Sequence, residues 1–365
     1  MIQLSKPHIN EDDIQRVTSV LRSGNLVQGK EVQLLEEKIA KYIGVDHAIC
    51  VSSGTATLHL SLIALGIGPG DEVIVPAFSY IATANVVELV GAKPVFIDIN
   101  LDTFNIDVNK IEAAITSKTK AIIPVHEFGL ASDITQIINI SKKYNLFVIE
   151  DAACALGAKE FNKFIGSFGN VGSFSFHPRK AITSGEGGVV TTNKKSLATK
   201  IKVLRNHGIE YNDGRMDFVM AGFNYRMTDF QAALVSSQFD RFEFMLNKRQ
   251  QLAEVYLKEI HNPIITLPSI PINKNHTWQT FHLLLRTEKE RNSMIEFLKT
   301  NEIMSNYGAQ CIPHMTYYMN KYKKKSPIEY PNAFKAYTCG LAIPLYDQLT
   351  QEQVKNISKS INKFK

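Results

Sequence analysis

The chain has 365 residues, enough for one large domain or a large domain with a smaller one. Apolar residues make up 44% and charged residues 21%, an ordinary globular balance, and no run approaches the roughly eighteen uncharged apolar residues of a membrane span. The formal charge of +6 is spread along the chain. It forms no basic stripe of the kind that would point to nucleic acid as a partner. The cluster Lys321–Lys325 reads as a solvated loop.

The four cysteines, Cys50, Cys154, Cys311 and Cys339, show neither CxxC nor finger spacing. They read as reduced thiols, which implies a cytoplasmic location. The opening MIQLSKPHIN carries no apolar run or cleavage site of a signal peptide. No His, Cys or Asp cluster has metal-ligand spacing, so no metal is expected.

In chain order, Asn10 with Asp13 predicts a capped helix over Ile14–Leu21. The segment Ser23–Gly29 is a loop, and Glu31–Tyr42 an amphipathic helix with Val32, Leu35 and Ile39 inward. Ala48–Val51 is a buried strand that runs into Ser52-Ser53-Gly54-Thr55 and an apolar helix to Leu65. A small-residue turn opening a helix presents free backbone N–H groups and fits an anion, although a plain N-cap by Ser53 explains the same residues. His59 inside that helix reads as packing. Strands follow at Glu72–Val75, Pro94–Ile97, Lys120–Pro124 and Leu146–Ile149, with helices at Ala82–Val90 and Ile134–Lys142. Most strands are continuous apolar runs, as in a mainly parallel sheet flanked by helices. No GxGxxG follows the first strand, so a dinucleotide fold has no support.

The stretch Phe174–Gly188, FSFHPRKAITSGEGG, ends a buried strand and leaves Lys180 in a turn rich in proline and glycine. Asp151 stands at the end of the preceding strand. An amine nucleophile and a carboxylate at the carboxyl ends of their own strands suit a pyridoxal phosphate (PLP) enzyme. Lys180 would be the covalent anchor, and Asp151 would keep the pyridine nitrogen protonated. An aromatic just past a strand end, Tyr80 or Phe78, would stack on the ring. His177 could assist proton transfer, or contact substrate, or only shape the turn.

Val189–Thr192 is a strand, Leu197–Arg205 a helix, and Ile209–Met220 a polar loop. Gly222–Leu234 ends in a helix that continues through Arg241–Ile260 with a break near Asp240. After the Pro- and Asn-rich connector Asn262–Asn275 come a strand at Trp278–Arg286, a helix at Arg291–Lys299, a loop or strand at Pro313–Tyr318, and helices at Phe334–Gly340 and Gln351–Phe364. The fold class is therefore α/β with a mainly parallel central sheet. The division expected is residues 1–250 as the large domain with N-terminal helices and 251–365 as a smaller α+β domain.

Five blocks, Asn25–Gly29, Ser52–Gly70, Glu150–Gly157, Phe174–Gly188 and Gly222–Ala233, together resemble the sugar aminotransferases of the DegT/DnrJ/EryC1/StrS family over nearly the whole chain from Asn10. The resemblance implies PLP fold type I, with PLP alternating with pyridoxamine phosphate, glutamate as amine donor and a keto sugar on a nucleoside diphosphate as acceptor. It places Gly54, Thr55 and Ser175 at the cofactor phosphate and Tyr80 on the ring. Asn224 would reach the phosphate of the partner subunit in a homodimer with shared sites. Asn25, Glu127, His177 and His314 lie on stretches expected near the substrate.

Two positions depart from the pattern. The family commonly reads VHLYG where this chain has Val125-His126-Glu127-Phe128-Gly129. Three residues after the aspartate, where Gln, Glu or His is usual near the ring hydroxyl, stands Cys154, a weak donor and weak acceptor. A water or another residue would then supply that contact.

Relatives that are sugar dehydratases replace the lysine with histidine, so Lys180 argues for transamination. A cofactor-binding regulatory protein without turnover is a further alternative. The loop SFHPRKAITSGEGG resembles members that aminate C4 of a 4-keto-6-deoxyhexose, in amino-sugar and surface-polysaccharide biosynthesis such as that of O-antigen. Members that act at C3 carry a tyrosine-proline loop and LGAxGDGG instead.

Overall fold

The computed structural model describes residues 1–365. Its centre is a seven-stranded sheet in the order His47–Val51, Gly188–Thr192, Val171–Ser175, Phe147–Asp151, Thr119–Ile122, Glu72–Pro76, Lys93–Ile97. Six strands run parallel, and Gly188–Thr192 alone runs against both of its neighbours. The parallel strands are apolar on both faces because both are covered. On one side Ile49, Val75 and Ile149 pack with the helix Gly54–Ala64. On the other Cys50, Ile74 and Val148 pack with the helix Lys30–Ile43 and with Ile134 and Ile137. The architecture is the expected α/β sheet with a smaller α+β part.

That smaller part is built on the antiparallel strands Ile265–Thr266, Phe281–Leu285 and Gly340–Ile343. Helices Glu288–Thr300 and Gln351–Lys363 cover it around Trp278, Phe281, Met294 and Ile357. The helix Phe242–Glu259 crosses the expected boundary at 250 without a break. The N-terminus also joins this part, where Ile2 bridges to Ile303. No helix is long and apolar enough to cross a membrane.

Two local readings change. Ile209–Met220 is a hairpin, Ile209–Asn212 paired with Arg215–Phe218, rather than a loop. Asp213 and Gly214 both have positive φ, 50° and 76°, the turn that an Asp-Gly pair makes at low cost. Both strands also alternate apolar and polar residues, a strand signal beside that of the turn. Pro313–Tyr318 is helical, with a short turn at Ile312–His314 and a helix at Thr316–Tyr322. The Lys321–Lys325 cluster is partly the end of that helix, and Lys321 pairs with Glu88.

Candidate active site

The carboxyl ends of the parallel strands open on one crevice, the usual place for a ligand in an open α/β sheet. Within the strand Phe147–Asp151 the pleat sends Glu150 and Asp151 to opposite faces. Glu150 turns away and accepts from the amides of Gly166, Phe168 and Gly169 at 2.9, 2.8 and 2.7 Å. Its Oε2 also lies 3.3 Å from His126 Nε2. Asp151 turns into the crevice. Its carboxylate accepts from Thr83 Oγ1 at 2.8 Å and from the Ala153 amide at 3.2 Å. Burial lifts its pKa above the ordinary aspartate value, against the pull of those hydrogen bonds and of Lys180.

Lys180 is half-buried, and its Nζ donates to Cys154 Sγ at 3.0 Å. Burial works against the ammonium, but Cys154, Asp151 and Glu127 outweigh it and hold the amine above its ordinary value. Burial also raises the Cys154 thiol.

The loop that carries Lys180 is tied down along its length. The Lys180 amide donates to His177 O at 2.8 Å, and Thr183 Oγ1 and the Ser184 amide both donate to Phe176 O. Gln238, buried in the helix Asp229–Phe239, accepts from the Thr183 amide at 3.1 Å and donates to its carbonyl at 2.7 Å. His177 Nδ1 accepts from the Arg179 amide at 3.2 Å, so this nitrogen serves the turn, and burial lowers the ring's pKa.

The helix Gly54–Ala64 opens toward the same crevice. Ser53 caps it as one reading expected, accepting from the Ala56 amide at 3.1 Å. The first-turn amides of Gly54 and Thr55 have no intrahelical acceptor and remain for an anion, so the cap and the anion site coexist. A Cβ at position 54 would lie 2.8 Å from Ser175 Cβ, so only glycine lets Ser175 come this close to the helix start.

Phe78 is fully buried against Phe104, Phe128 and His282, whereas Tyr80 is 66% exposed and free to cover a bound ring. His314 packs on Phe334 and Tyr337. The pairing of Gln310–Cys311 with Phe78–Ser79 brings its stretch to the Tyr80 side of the crevice.

Neither Asn25 nor Asn224 hydrogen-bonds the lysine loop. Asn25 lines a separate cleft with Gln28, Gly29 and Asp229. Asn224 is exposed, its backbone bridged to Asn206 and its side chain without a hydrogen bond inside the chain.

Sequence reasoning missed Thr83, Gln238 and Asn105. Thr83 is four residues from Ser79 and bonds it at 3.1 Å, a helical spacing that could have marked both. Gln238 and Asn105 act across long sequence separations and left no local signal.

These residues fit PLP on their own geometry: a buried carboxylate, an amine on a tethered loop, and an anion cradle too tight for a Cβ. A further buried carboxyl oxygen, Glu127 Oε2, has no partner.

The sequence model of the DegT/DnrJ/EryC1/StrS aminotransferase family matches residues 7–362. A GDP-perosamine synthase of Escherichia coli O157:H7 is 37% identical, over 92% of this chain and 91% of that protein. The spore coat polysaccharide biosynthesis protein SpsC of Bacillus subtilis is 36% identical, over 98% and 95%. Among solved structures, Spr1654 of Streptococcus pneumoniae in its PMP form superposes with a TM-score of 0.94 at 30% identity, covering 100% of this chain and 99% of that one. Its PLP form gives the same score.

Proposed function

The chain belongs to the DegT/DnrJ/EryC1/StrS aminotransferase family, and from that premise we propose that it transfers an amino group from L-glutamate to C4 of a nucleotide-linked 4-keto-6-deoxyhexose. It is a PLP-dependent aminotransferase whose cofactor passes through the pyridoxamine form, in line with a relative solved in both forms. The likeness to a GDP-perosamine synthase supports a nucleotide-linked keto sugar as acceptor. The observation that carries the reading is that the Lys180 amine and the buried Asp151 carboxylate face one crevice beyond the ends of adjacent parallel strands, close enough for each charge to act on the other.

When bound, the cofactor supplies an aldehyde that accepts amines and a ring that takes up the electron pair left when a proton is removed from carbon. The chain does the rest. Asp151 holds positive charge on the ring nitrogen. Gly54, Thr55 and Ser175 bind the phosphate, and Tyr80 covers one ring face. Lys180 Nζ would hold the cofactor and is the base placed to move a proton. The turn His177–Thr183 fixes where that amine points, and a displacement of 1 Å can cost about 10²-fold in rate.

The choice of C4 rests on the loop SFHPRKAITSGEGG. The unpartnered side chain of Asn224 supports a two-fold dimer in which it completes the neighbouring phosphate site. The test is to incubate purified protein with glutamate and a panel of 4-keto and 3-keto nucleotide sugars, reading the position of the new nitrogen by NMR. Amination only at C3 would overturn the C4 assignment and leave the aminotransferase intact.

A further inference from the structure

Glu127 is 4% exposed, yet its Oε2 has no hydrogen-bond partner. Such a group costs stability unless something else completes it. Its place is enforced. Asn105 accepts from the Glu127 amide at 2.8 Å and donates to the carbonyls of Leu130 and Ala131 at 3.1 and 3.2 Å, stapling both ends of the loop. The next residue, Phe128, is held at φ 56°, a strained conformation for a bulky side chain, by stacking on His282 at 4.3 Å. Strain of this kind persists where the surroundings insist on it. The carboxyl lies beside Ser79. Ser79 bonds Thr83, and Thr83 bonds Asp151. A chain of hydrogen bonds thus runs from Ser79, beside Glu127, to the residue assigned to the ring nitrogen. Across the site stands Cys154, whose thiol makes a poor partner for a ring hydroxyl.

We propose that Glu127 is a cofactor-holding residue: its buried carboxyl takes the contact to the ring hydroxyl of PLP that Cys154 serves poorly. The inference rests on the PLP reading of the site and goes beyond it. It moves Glu127 from a substrate contact to a ligand of the cofactor. Burial, and then the charge of Asp151, push the carboxyl up to about 8. At neutral pH it is therefore an acid able to donate to the ring oxygen. Lys180 opposes this shift, while Cys154 faces the same space. His126 precedes it in the chain with its ring turned to Glu150, and His282, behind Phe128, is held neutral by burial. Above about pH 8 the donor is lost and an anion takes its place.

The experiment titrates PLP into cofactor-stripped wild type, Glu127→Leu and Glu127→Gln, and follows the absorbance of the bound cofactor with pH. Circular dichroism verifies folding. The expected result is PLP binding about 10-fold weaker or more in Glu127→Leu, as for loss of a hydrogen bond to a charged group. Glu127→Gln should bind nearly as wild type does but lose the absorbance transition near pH 8. Wild-type affinity in Glu127→Leu would overturn the proposal. If that variant does not fold, an unchanged pH transition in Glu127→Gln overturns it equally. Failure of the wild type itself to take up PLP would instead sink the reading of the whole site.

Discussion

Cys154 and Glu127 are the two places where this site departs from a plain set of donors and acceptors, and each had a legible sequence signal. Both were visible as odd residues in otherwise regular blocks. What could not be read was that they face the same space, since they come from different strands. If they divide one task, their effects are coupled. Cys154→Gln alone should turn over as fast as wild type or faster, because Lys180 and Asp151 are intact. Added to Glu127→Leu, it should recover most of the lost PLP affinity, which a double-mutant cycle on titrated dissociation constants would measure. Complete inactivity of the Cys154→Gln single variant would show instead that the thiol is specifically needed.

Glu127 also sets a pH dependence of stability in the cofactor-free protein. Its folded pKa of about 8 lies above the ordinary 4.5. The folded state therefore holds a proton that the unfolded chain releases. The stabilising contribution is full below the unfolded value and is lost as pH rises through the folded one. Thermal unfolding of the cofactor-free wild type should fall across this window more steeply than that of Glu127→Gln, and parallel slopes would rule the effect out.

Among the elements, the helix Asp229–Phe239 does more than its amphipathic pattern announces. At its start Asp229 accepts from the amides of Gly29, Glu31 and Val32 at 2.7, 3.2 and 3.1 Å, capping the helix Lys30–Ile43 from almost two hundred residues away. Near its end Gln238 grips Thr183 in the lysine loop. Gln238→Ala removes both bonds and leaves buried polar atoms of Thr183 unmatched, so it should cost about 1–3 kcal/mol of stability. Because Lys180 rides on that loop, the catalytic rate should fall while cofactor loading persists. Thermal unfolding and steady-state kinetics together would check this, and an unchanged kcat would mean that the turn is held without Gln238. The hairpin Ile209–Phe218 is the opposite case. Its strands, Ile209-Glu210-Tyr211-Asn212 and Arg215-Met216-Asp217-Phe218, alternate apolar and polar residues around an Asp-Gly turn, so both the period and the turn chemistry marked it.

For the whole molecule, the shared orientation of six strands gathers Gly54, Tyr80, Glu127, Asp151, Ser175 and Lys180 at one edge, although they span more than a third of the chain. Asn224 precedes Tyr225, whose carbonyl accepts from the Ser52 amide beside the Gly54 turn. If it completes a neighbour's phosphate site, Asn224→Ala should weaken PLP retention with little change in thermal stability, and the active species should sediment as a dimer. A fully active monomer, or unchanged cofactor affinity in the variant, would remove the cross-subunit role. The apolar runs decided most strands, and the small residues after them decided where each strand ended. The amine and the carboxylate at two such ends suited PLP chemistry, which needs few groups local to strand ends, and the resemblance of five blocks taken together named it. The burial of the Glu127 carboxyl, the grip of Gln238 on the lysine loop and the capping of one helix by Asp229 were decided only by tertiary packing. Those contacts join segments tens to hundreds of residues apart, and no local propensity or spacing encodes which element will lie against which.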